Sequence, residues 1–515
     1  MSDYKKLQNG SDIRGIAIEG IAGETPNLTT QEAEHIAVGF TRWLQEKTGK
    51  TDVTVAIGRD PRVSGLDLLA GLLHGFGKGG IQVYDCGLAS TPAMFMATIF
   101  QNVIGEKGSC DGSIMITASH LPFNRNGFKF FTKDGGLDKK DIAAILRFAE
   151  EDAKAAAGDE ADGSTVAAAT EQVPLMDAYC AHLQQLIREG TSGGSTGAPA
   201  EEKPLSGMKI VVDAGNGSGG FFAEKVLAPL GADVSASQFL EPDGMFPNHA
   251  PNPENKAAME AISSQVVKAG ADLGLIFDTD VDRSAAVDEQ GREIARNGIV
   301  AMAAALVAEE HPGTTVVTDS ITSRQLTEFL EKELGLVHLR YRRGYKNVIN
   351  KAIELNREGT DCQLAIETSG HAALQENYFL DDGAYLAVKI VIKAAKLKKE
   401  GKPVSSVLTG LAEPADEKEV RIPIQTEEFG AYGDQVLEDL RSWVLQQDGM
   451  ALTEPNYEGV RIDFGDGWCL LRKSLHDPIL PMNMASDREK GCEDIAETMR
   501  VFLEKYKKLG LEGVL

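Results

Sequence analysis

A chain of 515 residues with 42% hydrophobic side chains has material for three or four domains, each with its own core. Its 52 basic and 77 acidic residues leave a formal charge of −25. That argues against nucleic acid as a partner, because phosphate backbones call for clustered Lys and Arg. No apolar run reaches the ~18 residues of a bilayer span, and the N-terminal stretch MSDYKKLQNGSDIRG lacks the apolar core of a signal peptide. No membrane partner is expected, and cytoplasmic localisation is. The six cysteines form no CxxC pair, which argues against a zinc or redox motif and for buried reduced thiols.

In chain order, TVAIGRD (54–60) reads as a strand, GLDLLAGLLHGFGKGG as a helix, and IQVYDCG (81–87) and SIMITAS (113–119) as further strands. This βαβ rhythm predicts a mixed or parallel sheet with helices on both faces. MKIVVDAGNGSGG (208–220) opens a second such unit, in which DLGLIFDTDVDR ends a strand. TTVVTDS (314–320) opens a third, which includes CQLAIETSGH. The last hundred residues alternate, as in EVRIPIQ and GVRIDFGDGWCLLRKS, which predicts antiparallel strands followed by a C-terminal helix. The polar stretches 155–170 and 191–204 read as loops, the second as a linker. The expected boundaries are 1–204, 205–311, 312–414 and 415–515.

Ligands of open α/β sheets bind at the carboxyl ends of strands, and Ser119, Asp278 and Glu367 each fall at one. In FDTDVDR, Asp278, Asp280 and Asp282 follow an apolar strand, where alternate residues of extended backbone point the same way. Carboxylates that close repel, and a hard divalent cation such as Mg²⁺ removes the conflict. A solvated acidic turn is the alternative. Ser119 can take and return a phosphoryl group, with His120, Arg125 and Lys129 as nearby donors; alternatively it caps a turn or helix. In ETSGH, Glu367 and Ser369 suit sugar hydroxyls, and His371 suits a donor or proton shuttle. Arg472 and Ser474, in LLRKSLHDP, suit a phosphate at a strand end, unless the arginine is structural. GRDPRVSG puts Arg59, Asp60 and Arg62 at another strand end. HLRYRRGYK (338–346) is the most basic block in an acidic chain, a smaller signal whose alternative is a solvated helix start.

Together these motifs resemble the α-D-phosphohexomutase family, which includes phosphomannomutase/phosphoglucomutase. The likeness runs from SDIRG near residue 11 to RKSLHDP near residue 474, and the TASH-P…NGFK and DTDVDR loops carry it as a pair. It implies three α/β mixed-sheet domains and a smaller C-terminal α+β domain around a central cleft. It implies an enzyme that interconverts hexose 1-phosphate and hexose 6-phosphate through a phosphoserine and a sugar bisphosphate, of the phosphomannomutase/phosphoglucomutase type. By the resemblance, Ser119 is the phosphorylated serine, with Arg14, His120 and Lys129 beside it and Lys129 as acid/base. Asp278, Asp280 and Asp282 hold Mg²⁺ with the serine phosphate as a further ligand. Arg62, Arg283, Glu367, Ser369, His371, Arg472 and Ser474 meet the substrate. A sugar bisphosphate is the expected activator, and the expected assembly is a monomer or homodimer.

Three departures bear on which sugar is taken. Leu475 and His476 stand where familiar members carry small or polar residues, Gly344-Tyr345 replaces a Gly-His pair, and Leu121 replaces an Asn. Two other readings compete. In an aspartyl-phosphate phosphatase, Asp278 would be the nucleophile and FLDDG would supply metal ligands, but TASH and RKS would go unexplained. A non-catalytic sugar-phosphate-binding protein would bind without turnover.

Overall fold

The computed structural model describes residues 3–101, 103, 108–157, 167–192, 201–474 and 477–512. Most of the two stretches expected as loops, 158–166 and 193–200, lies outside the described residues, as do Leu475 and His476. At the edges of the expected loops, helix Lys139–Ala156 includes 155 and 156, strand Thr170–Gln172 begins at 170, and helix Leu175–Thr191 includes 191. The chain forms two compact units, Met1–Leu306 with Ser369–Val407, and Val307–Thr368 with Leu408–Leu515.

Two sheets organise the first unit. The larger runs in the order Gln8–Asn9, Asp12–Ile16, Arg125–Thr132, Gly112–Ile116, Thr54–Arg59, Gln82–Leu88, Thr170–Gln172, with Gly135–Gly136 added to Arg125–Thr132. Its middle strands are parallel and Arg125–Thr132 is antiparallel, so the sheet is mixed as expected. The run GSIMI is buried at every position, the pattern of a strand covered on both faces. Ile57, Ile114 and Phe130 share a core with Phe40, Phe76 and Ile145 from helices Thr30–Thr48, Gly65–Lys78 and Lys139–Ala156. Each such side chain contributes roughly 1.5–3 kcal/mol by leaving water. Thr29 and Glu32 close a capping box on the first of these helices, satisfying amides that would otherwise be orphaned.

The second sheet has the order Glu293–Ile294, Ser284–Val287, Leu273–Phe277, Ile210–Asp213. Its last two strands are parallel, whereas Leu273–Phe277 and Ser284–Val287 are antiparallel and pair Phe277 with Ser284. The acidic segment 278–283 is therefore a hairpin connection.

In the second unit, Val337–Arg340, Thr315–Thr318 and Cys362–Ile366 form parallel ladders with Thr315–Thr318 in the middle. A separate antiparallel sheet runs Asp416–Pro423, Ile479–Ser486, Gly467–Leu471, Val460–Asp463, Ala451–Leu452. Its alternation turns Ile422, Ile462, Cys469, Leu471 and Met482 into a core with helices Phe429–Val444 and Gly491–Leu503. All six cysteines are buried thiols without a disulfide. Among the described residues no helix is long and apolar enough to cross a membrane.

Candidate active site

Ser119 lies three residues beyond the buried strand Gly112–Ile116, in a backbone conformation that few serines adopt, φ 51°. Left-handed backbone at a non-glycine residue costs energy and persists only where the surroundings over-determine it. Here Arg62 supplies much of that restraint. Its guanidinium is buried and paired with Asp60, Nε to Oδ2 at 3.1 Å. Nη2 donates to the carbonyls of Ser119 at 2.5 Å and Leu121 at 2.7 Å, and Nη1 donates to those of Pro122 at 2.6 Å and Arg125 at 3.1 Å. The fork is thus spent on Asp60 and the loop backbone, so Arg62 is a positioning residue beneath the loop. This corrects the expectation of a substrate contact. Arg14 also braces the segment, with Nη1 donating to the Thr117 carbonyl at 2.7 Å and Nη2 to Asp12 at 2.8 Å. Arg14 pairs in register with Gly127, where a Cβ would lie 2.0 Å from the Ile13 carbonyl, so this close strand approach requires glycine. Arg125 turns to Glu24 instead, and the expectation of a donor near Ser119 fails for it.

The Ser119 hydroxyl donates to Asp278 Oδ2 at 3.1 Å and accepts from Arg283 Nη2 at 3.1 Å. The same Nη2 lies 2.5 Å from His120 Nδ1. A guanidinium can only donate, so Nδ1 accepts and His120 is neutral. Burial, then the charges of Arg283 and Arg14, push His120 down to about 2.

The three aspartates converge, but not through extended alternation. The loop turns, with Val281 at φ 67°, and gathers one oxygen from each of Asp278, Asp280 and Asp282 within 4.8 Å. All three are buried. Burial, then the charges of Asp282 and Asp280, hold the Asp278 carboxyl well above the usual range. Burial acts in the same sense on Asp282, but Lys129, His371 and Arg283 outweigh it and draw that group below the range. Lys129, on the strand Arg125–Thr132, pairs with Asp282 Oδ2 and with Asp280 Oδ2 at 3.2 Å. Asp280 Oδ1 and Asp282 Oδ1 remain buried without a hydrogen-bond partner. Orphaned buried carboxylate oxygens are costly. Together with the mutual repulsion of three buried carboxylates, they are what a hard cation with oxygen ligands would relieve, so the residues present fit such an ion.

Ser369 and His371 belong to the same unit, and an antiparallel bridge between Arg283 and His371 seats their loop beside the acidic one. His371 Nδ1 lies 2.5 Å from Asp381 Oδ2 and 3.9 Å from Asp282 Oδ1. Burial alone would lower its pKa, but Asp381 and Asp282 raise it to about 9. Ser369 Oγ is buried without a hydrogen-bond partner. Of FLDDG, Asp381 serves His371, while Asp382 accepts the Tyr179 hydroxyl at 2.9 Å and caps helix Gly383–Lys399.

In the second unit, Glu367 is buried and accepts the Gly344 amide at 2.6 Å. Arg472 follows the strand Gly467–Leu471. Its Nε is buried with no hydrogen-bond partner, and burial holds the guanidinium below its ordinary range despite Glu458. The Ser474 hydroxyl accepts the Asp477 amide at 3.2 Å. The basic block divides: Tyr345 and Lys346 open helix Tyr345–Arg357, as a helix start would, and Arg342 is exposed, whereas its first residues do not fit that reading. His338 and Arg340 sit in strand Val337–Arg340, with the His338 nitrogens 2.7 and 2.9 Å from the hydroxyls of Thr318 and Thr327. Burial pushes His338 well below its ordinary pKa and brings Arg340 to about 10.

Two contributors were missed in the sequence. Asp381 was legible in FLDDG only as a member of another motif. Thr91, whose hydroxyl donates to Asp280 Oδ2 at 2.5 Å, stands in STPAMF, which reads only as a capped helix start.

Family models described as phosphoglucomutase/phosphomannomutase, alpha/beta/alpha domains I, II and III, match residues 5–156, 179–291 and 296–414 in succession. The chain is 30% identical over 493 residues to a Pseudomonas aeruginosa phosphomannomutase/phosphoglucomutase, covering 95% of each chain. It is 29% identical over 495 residues to a Neisseria meningitidis phosphoglucomutase, covering 96% of each. A crystal structure of a phosphoglucomutase/phosphomannomutase family protein from Burkholderia thailandensis matches with a TM-score of 0.78 at 25% identity, covering 100% of this chain and 99% of that one.

Proposed function

The chain belongs to the phosphoglucomutase/phosphomannomutase family of α-D-phosphohexomutases, and from that premise we propose that it interconverts hexose 1-phosphate and hexose 6-phosphate through a phosphoserine at Ser119. The observation that carries this reading is the Ser119 hydroxyl, held in strained backbone between Asp278 Oδ2 and Arg283 Nη2 beside two unsatisfied carboxylate oxygens.

In the proposed cycle the Oγ–phosphorus bond of phosphoserine breaks and a bond from phosphorus to a sugar hydroxyl oxygen forms. The hydroxyl proton leaves to a base, and Ser119 Oγ is left to be re-esterified by the other phosphate of the bisphosphate. Lys129 is assigned the proton transfers. Arg283 offers a donor to the transferring group, Arg14 and Arg62 hold the loop, and neutral His120 accepts from Arg283 and so fixes its fork. Asp278, Asp280 and Asp282 would hold Mg²⁺, which when bound neutralises charge on the transferring phosphoryl group. Glu367, Ser369 and His371 are assigned to the sugar, and Arg472 and Ser474 to the phosphate that does not react. A sugar bisphosphate would charge Ser119 at the outset. Hexose phosphates are the proposed substrate class by analogy with the relatives' names. The four sheets support retaining the division at 204, 311 and 414, and cytoplasmic placement accords with six buried reduced thiols.

Peptide mass mapping before and after incubation with glucose 1,6-bisphosphate and Mg²⁺ tests the reading. Phosphate on Ser119 is expected. Phosphate on Asp278, or none anywhere, would overturn it.

A further inference from the structure

We infer that Thr91 is a positioning residue for the cation site: its hydroxyl fixes which oxygen of Asp280 is left to bind the ion. The inference rests on the metal-dependent reading above and adds a residue from another segment to it. Thr91 opens the short helix Thr91–Met96, whose cap is Ser90, and it is buried. It meets Asp280 twice. Its amide donates to the Asp280 carbonyl at 2.8 Å, and its hydroxyl donates to Asp280 Oδ2 at 2.5 Å.

The consequence follows from how a carboxylate rotates. The terminal torsion of aspartate is broad and nearly two-fold, so nothing local distinguishes its two oxygens. Lys129 also reaches Oδ2, at 3.2 Å, but it is shared with Asp282. Thr91 contacts Asp280 without that sharing, and its backbone bond keeps the donor in place as the side chain turns. With Oδ2 taken by the hydroxyl and the ammonium, Oδ1 is the buried oxygen left without a partner. An oriented ligand binds without first losing rotational freedom, and partners of this kind are worth roughly 10- to 100-fold in metal affinity.

The test is Mn²⁺ binding to the purified full-length protein, followed by electron paramagnetic resonance, with Mg²⁺ as competitor. Thr91→Val keeps the shape and the backbone bond but removes the donor, and it should weaken Mn²⁺ binding by about 10- to 100-fold. Thr91→Ser keeps the donor and should stay within about threefold of the parent. Metal-free thermal unfolding should be alike for all three. Should Thr91→Val fail to fold, Thr91→Ala carries the same contrast with Thr91→Ser. Equal affinity in parent and Thr91→Val, or equal loss in Thr91→Ser and Thr91→Val, would overturn the role of Thr91 and leave the metal site standing. Parent and Asp280→Asn binding Mn²⁺ alike would instead overturn the metal assignment itself, and this inference with it.

Discussion

The hairpin loop 278–283 and the loop that begins at Arg472 both follow buried strands, yet they are built in opposite ways. In the first, Asp278, Asp280, Asp282 and Arg283 are buried, and Ser119, Thr91, Lys129, His120 and His371 approach them from other segments. In the second, Arg472 keeps a buried Nε without a hydrogen-bond partner, and Ser474 bonds within its own turn. A reacting centre must be over-determined, because small misplacements cost rate. A recognition loop needs donors held in reserve, and its neighbours can change without disturbing the chemistry. Under the proposed function, the departures at Leu475 and His476 bear on substrate identity more than on reaction type.

Substitutions can break this contrast, starting with the largest effect. Ser119→Ala should reduce mutase turnover by on the order of 10⁴-fold or more while leaving circular dichroism unchanged; a coupled assay showing substantial residual turnover would end the phosphoserine mechanism. Asp282→Asn removes a ligand and part of the counter-charge of Lys129, and should lower kcat by roughly 10²- to 10³-fold with a raised Mg²⁺ requirement. A kcat unmoved by Mg²⁺ in both proteins would contradict it. Arg62→Met should act through stability first. It strands a buried Asp60, which typically costs about 3–5 kcal/mol, measured by urea unfolding. Arg472→Ala should raise KM about tenfold and leave phosphorylation of Ser119 by the bisphosphate untouched. Loss of that phosphorylation would show that the two loops are not separable.

The smallest expected effect is on pH dependence, at a histidine beside the second sheet. His249 Nε2 lies 3.1 Å from Asp213 in the second sheet. Burial alone would lower its pKa, but the Asp213 hydrogen bond and charge outweigh it and raise the group. A raised folded pKa means that the stabilisation is fully present below the unfolded value near 6.5 and fades as pH rises through the folded value. His249→Asn should flatten the fall in Tm over that window by roughly 2 °C. An unchanged slope would assign the pair no role in stability.

The strands were legible because buried parallel strands are written as uninterrupted apolar runs, as in TVAIG, SIMI and LGLIF. The sites at their ends followed from polar residues placed where such runs stop. What stayed hidden is whatever depends on three-dimensional hydrogen bonding. Arg62 was expected to meet the substrate, because a buried and an exposed arginine are written alike; its four carbonyl partners show the backbone it holds. Arg125 pairs with Glu24, 101 residues away. The aspartates were expected to converge along extended backbone, whereas a hairpin with Val281 in left-handed conformation gathers them. His338 and Arg340 read as surface charge because nothing local announces the threonine hydroxyls that receive them.

The backbone at Ser119 also restricts which hydroxyl residue can stand where the phosphoserine is proposed. Threonine could carry a phosphoryl group as well as serine does, and in a relaxed loop the two would be interchangeable. At φ 51° the branched Cβ of threonine meets the flanking peptide groups, a clash that serine largely avoids. The handedness of one residue thus decides which hydroxyl the fold will accept, before any question of reactivity arises.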